Sequence, residues 1–106
     1  MIKAYWIGRI DVSDPHAYQA YVQANATAFA EFGGRFLVRG GAFETVEGAS
    51  RSRNVVIEFP SQKAALACWH SPAYQAARAH RLGAAVVDLL VVEAYDGPQP
   101  GAPAAG

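Results

Sequence analysis

Cysteine is almost missing from this chain of 106 residues. Cys68 stands alone, which excludes an intrachain disulfide and is compatible with a reducing cytosol. Charge is scarce too, at 17% of residues, and nine basic side chains cancel nine acidic ones. A neutral chain without a basic run offers no electrostatic footprint to nucleic acid or to an anionic membrane. Long hydrophobic runs are also lacking. Nowhere do about 18 apolar residues follow one another, so no membrane span is expected. The short run after Met1 is interrupted at Gly8-Arg9, so no signal peptide is expected, and the implied location is cytoplasmic. No two of His16, His70 and His80 have ligand spacing with an acid, which argues against a metal site. The glycines between Gly33 and Gly41 miss both nucleotide fingerprints, because they punctuate a strand instead of opening a helix. No cofactor is called for.

What is plentiful is apolar. Hydrophobic residues make up 52% of the chain and aromatic ones 11%, enough for one domain with a core. So much apolar surface with so little charge suggests that a partner covers part of it. The organising stretch is Gly33-Gly34-Arg35-Phe36-Leu37-Val38-Arg39-Gly40-Gly41. Its first glycine pair ends a helix, and its second lets a strand bend or bulge. Strict alternation puts Phe36 and Val38 on one face of the strand, with Arg35, Leu37 and Arg39 on the other.

Taken in order, residues 3–10 read as a strand apolar on both faces. Asp14 is a good N-cap and Pro15 a good first helical residue. The helix they start carries the stripe Tyr18, Tyr21, Val22, Ala28, Phe29 and Phe32 and ends at Gly33-Gly34. After the strand at 35–39, which Phe43 to Val46 can prolong, residues 47–52 turn into a returning strand at 54–59. Ser61 caps a short second helix. His70-Ser71-Pro72 breaks it and opens a third that ends near Gly83. Residues 86–95 are a last, almost continuously apolar strand. Residues 97–106, a Pro/Gly/Ala tail, are expected to be disordered, which leaves 1–96 as the domain. The order is β-α-β-β-α-β with a split second helix: an α+β, ferredoxin-like plan of one antiparallel sheet with helices on one face. Strands apolar on both faces need a second cover, and a sheet-on-sheet homodimer supplies it.

The segments KAYWIGRIDVSDPHAYQAYVQAN, GGRFLVRGG, VVIEFPSQKAA and W-x-SPAYQ-x-x-R resemble a bacterial domain family of unknown function in the dimeric α/β-barrel superfamily. The resemblance covers residues 2–95. It implies a ferredoxin-like protomer and a homodimer whose sheets form a barrel. The superfamily includes cofactor-free quinone-forming monooxygenases, lactone isomerases, haem-degrading enzymes and small stress-response proteins. The family itself has no agreed activity, so the resemblance supplies no reaction.

Several residues carry possible chemistry. Asn25 sits in the middle of the apolar helical stripe, where its carboxamide must find a partner. Either it bonds a strand carbonyl or tyrosine hydroxyl, or it lines a pocket and binds a ligand. Arg39 either pairs with Glu58 across the hairpin or clamps a carboxylate or enolate; Arg9 has the same two readings. His70 precedes a helix N-terminus, where it is either solvent-exposed and idle or a neutral proton acceptor. Tyr74, Arg78 and Arg81 share a helix face that is either solvated or edges a pocket for an acidic molecule. Trp69 and Tyr18 read as core, and Cys68 as a core residue without a base. Ser71, His70 and Asp88 do not make a triad, because His70 and Ser71 are neighbours in sequence and do not meet in that geometry. Two functions fit: a dimer that binds a small carbonyl- or carboxylate-bearing molecule between helices and sheet, or a cofactor-free enzyme on a phenolic or carbonyl substrate. In the second, His70 and Arg39 are the catalytic pair, while Asn25, Arg39, His70, Tyr74 and Arg78 bind the ligand. Haem held by His70 or His80 is a third option.

Overall fold

Alternating burial along Ala4–Val12 marks the first strand, β1, whose even-numbered residues Ala4, Trp6, Gly8 and Ile10 are buried. The computed structural model describes residues 2–101. Helix α1 (Pro15–Glu31) crosses from β1 to the strand β2 (Arg35–Arg39), and β3 (Arg53–Phe59) returns beside β2. Helices α2 (Gln62–His70) and α3 (Pro72–Ala79) lead to β4 (Ala85–Glu93). The sheet has the order β2-β3-β1-β4 and every neighbouring pair is antiparallel. This is the ferredoxin-like α+β fold with the second helix split. Among the described residues no helix is long and apolar enough to cross a membrane.

Local chemistry sets the boundaries. The Asp14 carboxylate accepts from the Ala17 amide at 3.2 Å and Pro15 opens α1. Beyond Glu31 the chain reverses at Gly33, with φ +76°, and the Gly34 amide donates to the Phe29 carbonyl at 2.7 Å. Ser71 separates the two later helices. Its hydroxyl donates to the Cys68 carbonyl at 2.7 Å and accepts from the Tyr74 amide at 3.1 Å.

The core lies between the helices and one face of the sheet. Trp6, 2% exposed, packs its ring within about 6 Å of Phe29, Phe59, Trp69 and Tyr74 and donates to the Ala65 carbonyl at 2.9 Å. Cys68 is fully buried between α2 and α1, and burial pushes its thiol up to about 12.

Four expectations change. The first strand runs on to Val12. The second stops at Arg39, and Phe43 to Val46 form no strand, because residues 41–50 leave the sheet as an exposed arm. The third helix ends at Ala79, short of Gly83. Most consequential is the register of β2. Phe36 pairs with Ile57 and Val38 with Val56, so Leu37 is an extra residue in a β-bulge. Past the bulge the alternation inverts. Arg39 pairs with Val55 and shares the helix-covered face with Phe36, while Val38 turns to the open face.

Arg51 fixes the arm where it returns to the sheet, bonding the Asp11 and Asp88 carboxylates at 2.8 Å each. Arg9 donates to the Ala49 carbonyl at 3.1 Å, so it too holds the arm. The expected disordered tail begins in the described part, where the Tyr95 hydroxyl donates to the Pro98 carbonyl at 2.7 Å; residues 102–106 lie outside the described residues.

Candidate functional site

A cavity of about 40 Å³ lies between α1 and the covered face of the sheet. At ~10–15 Å³ per water, that is room for a few solvent molecules before any side chain moves. Gly8 on β1 forms part of its floor. A Cβ there would meet Leu89, Ile10 and Val55 at 3.6–4.0 Å, so the missing side chain leaves space that a larger residue would fill.

The walls follow from the helical period and the strand period together. On α1, Tyr18, Tyr21, Val22, Asn25 and Phe29 recur at three- and four-residue steps and turn toward the sheet. On the sheet side stand Trp6, Val55, Ile57, Val87 and Leu89, with Phe36 and Arg39 at the β2 edge. Tyr74 on α3, Arg81 beyond it and Arg53 at the start of β3 complete the lining.

The polar groups form a connected cluster. The Tyr21 and Tyr74 hydroxyls are 2.8 Å apart, and Arg81 Nη2 donates to the Tyr74 hydroxyl at 3.1 Å. The Arg81 guanidinium also lies over the Tyr21 ring, 5.1 Å from its centroid. Arg53 lies over Tyr18 at 5.7 Å and Arg39 over Phe36 at 4.2 Å. Burial, reinforced by Tyr74, holds the Tyr21 phenol well above its ordinary range; burial and then Tyr21 do the same, less strongly, for Tyr18. For Arg81, burial opposes the charge, but the Tyr74 and Tyr21 hydroxyls outweigh it and its pKa rises. At neutral pH the cavity therefore holds neutral phenols and charged guanidinium groups.

What the cavity lacks is the counter-charge. No carboxylate lines it, and among the described residues Arg39, Arg53 and Arg81 form no ion pair. Arg81 is only 6% exposed. Its Nε, the Arg53 Nε and the Asn25 Oδ1 are buried and bond to nothing. Asn25 itself is 5% exposed.

The structure thus brings Asn25, Arg39 and Tyr74 to one cavity and leaves His70 and Arg78 outside it. His70 is exposed at the end of α2, whose junction with α3 Ser71 already caps. Arg78 stacks on Trp69 at 5.2 Å and reaches Gln75, and it does not line the cavity. His80 is exposed as well, so no histidine faces the cavity. Arg39 does not pair with Glu58, which is bound by Lys3 at 3.4 Å. Sequence reasoning placed Tyr21 in the apolar stripe and missed its hydroxyl partner. It passed over Arg53 altogether, and the signal lies in Gly40. That residue has φ +68°, and a Cβ on it would come within 2.5 Å of Arg53 Nη1, so a bare backbone there lets the guanidinium lie across it.

With this geometry in hand, the comparisons with known proteins add fold and family. The pattern of a domain of unknown function, DUF1330, matches residues 3–95. A protein of unknown function from Rhodopseudomonas palustris is similar in structure with a TM-score of 0.72, at 21% identity, over 91% of this chain and 85% of that one. A methylated form of that protein gives 0.70 at 20%, over 95% and 84%. SnoaB, a cofactor-independent oxygenase from Streptomyces nogalater, gives 0.62 at 13%, over 92% and 97%. At these identities the likeness is one of fold. No curated protein matches the chain.

Proposed function

The chain belongs to the DUF1330 family of domains of unknown function, and we propose that it binds a small organic acid or carbonyl compound in the cavity between α1 and the sheet. The buried, acid-free Arg81 carries this reading. An enclosed guanidinium without a carboxylate is costly unless something else supplies the negative charge. Arg39 and Arg53 raise the positive potential further at the same cavity. Planar guanidinium groups suit carboxylates and enolates, which they bind in bidentate fashion. Calorimetric titration with simple carboxylates tests the idea. Binding should weaken at high salt and vanish in Arg81→Leu; no heat from any carboxylate, or equal affinity in the variant, overturns it.

The binding unit in this proposal is a homodimer. Ile7, Val56, Val38, Leu90 and Val92 lie on the face that no helix covers, an apolar sheet surface suited to a second copy.

The Tyr21–Tyr74–Arg81 chain favours a second reading, a cofactor-free enzyme. One structure of this fold is a cofactor-independent oxygenase. A neutral phenol held by a guanidinium at the cavity wall can donate a proton to an oxyanion that the arginines stabilise. Tyr21 or Tyr74 then takes the part that His70 cannot reach from its exposed position. Turnover that falls in both Tyr21→Phe and Tyr74→Phe while binding persists would select this reading.

A further inference from the structure

Among the side chains that line the cavity the unbonded atoms differ in kind, and that difference specifies the ligand further. Arg53 Nε and Arg81 Nε are donors, and each needs an acceptor. Asn25 Oδ1 is an acceptor, and it needs a donor. A plain carboxylate or ketone carries acceptors only. It would answer the arginines and leave the Asn25 oxygen buried and unpaired. An ammonium group would answer Asn25, but three guanidinium groups around the same space repel a cation. What satisfies both is a neutral donor on an anionic molecule.

We propose that the ligand is a hydroxy acid, its carboxylate held by Arg81 and Arg53 and its hydroxyl donating to Asn25 Oδ1. The body between the two groups is apolar, because Trp6, Val22, Phe29, Phe36 and Ile57 line the same cavity. This rests on the acid-binding reading above and adds the hydroxyl to it. Two side chains more than nine-tenths buried, Asn25 and Arg81, line the cavity from different elements, so the charge and the carboxamide are in place before any ligand arrives. An orphaned acceptor of this kind discriminates strongly, since a ligand lacking the donor leaves it unpaired. Were the carboxamide reversed, its amide nitrogen would face the cavity and a plain acid would serve as well as a hydroxy acid.

The test is titration calorimetry with pairs that differ by one hydroxyl: propionate against lactate, and benzoate against its three hydroxy isomers. At least one hydroxy acid should bind about tenfold or more tightly than its parent. That margin should collapse in Asn25→Leu, so that parent and hydroxy acid bind alike; Asn25→Ala serves if the leucine variant does not melt cooperatively. Parent and hydroxy acids binding equally would overturn the hydroxyl contact and leave the acid site standing. A margin that survives both Asn25 variants would remove Asn25 from the site. No binding of any acid would overturn both readings together.

Discussion

The two faces of the sheet both carry apolar residues and meet opposite environments. On β1 the residues Trp6 and Ile10 turn to the helices and are sealed, while Tyr5 and Ile7 turn the other way. On β4 the contrast is sharper. Val87, Leu89 and Val91 pack against the core, yet Val86, Leu90 and Val92 on the opposite face are 55%, 54% and 42% exposed. A strand buried on one side only would alternate apolar with polar residues. Here, Asp88 apart, the alternation is apolar with apolar. The lesson is that one layer of helices covers one face of the sheet and leaves the apolar residues of the other to the second copy proposed above.

Breaking the covered face should have the largest effect. Trp6→Ala removes a ring surrounded by four aromatic partners and a buried hydrogen bond. A loss of about 3–5 kcal/mol is expected in denaturant unfolding, enough to unfold a marginal domain. A loss under about 1 kcal/mol would mean that the core is centred elsewhere. Next comes the open face. Leu90→Asp puts a charge in the centre of the proposed dimer contact, and a hot-spot loss of about 2 kcal/mol or more would weaken association roughly thirtyfold. Sedimentation reads this directly. A wild-type chain that sediments as a folded monomer at micromolar concentration would remove the partner from the account.

The cavity lies on the covered face and can be filled without opening the core. Gly8 has room for a Cβ and no positive φ, so Gly8→Leu should occupy the floor and abolish acid binding. Overpacking should cost stability by about 1–3 kcal/mol, less than the tryptophan deletion. Undiminished binding in Gly8→Leu would show that the ligand lies elsewhere.

Much of this was legible in the chain. Caps and proline starts located where the helices begin, and a glycine pair where the first one ends, because those signals act over three or four residues. The exposed arm was read in part as strand, since Phe43 and Val46 have strand propensity but find no partner. Asn25 stood out as a polar residue in an apolar stripe, and the stripe itself aimed it at the sheet. The Tyr21–Tyr74 contact was not legible, for it joins residues 53 apart in sequence. Nor was the position of Arg39. A bulge is invisible to a two-residue period, and one extra residue sends every later side chain to the other face.

Cys68 probes the covered face by pH. Its thiol is neutral and buried, with its pKa raised from 9.0 to about 12, so the folded state holds this proton more tightly than the unfolded chain does. Stability from this group is complete below about pH 9 and drains away as pH rises toward 12. The slope approaches 1.4 kcal/mol per pH unit at most, about 1 kcal/mol by pH 10. Tyr21, also raised, adds to the loss only above its ordinary range near 10. Urea midpoints at pH 8.5 and 10 should therefore differ in the wild type and differ less in Cys68→Val. An equal drop in both would place the responsible group elsewhere.

The smallest effect tests the bulge itself. If β2 alternated strictly from Arg35 opposite Glu58, Arg39 would lie opposite Asn54 on the open face, the face that also carries Glu58. In the bulged register Arg39 faces the helices over Phe36, and Glu58 is left to Lys3, whose side chain is 57% exposed. An ion pair that exposed is worth about 0–1 kcal/mol. Double-mutant cycles with Arg39→Gln, Lys3→Gln and Glu58→Gln test which cation Glu58 meets. Coupling between Lys3 and Glu58 should be a few tenths of a kcal/mol and shrink in salt, while Arg39 and Glu58 should show none. A salt-sensitive coupling between Arg39 and Glu58 larger than that of Lys3 would put Arg39 on the open face. The cavity would then lose one of its three arginines, and the acid site would rest on Arg53 and Arg81 alone.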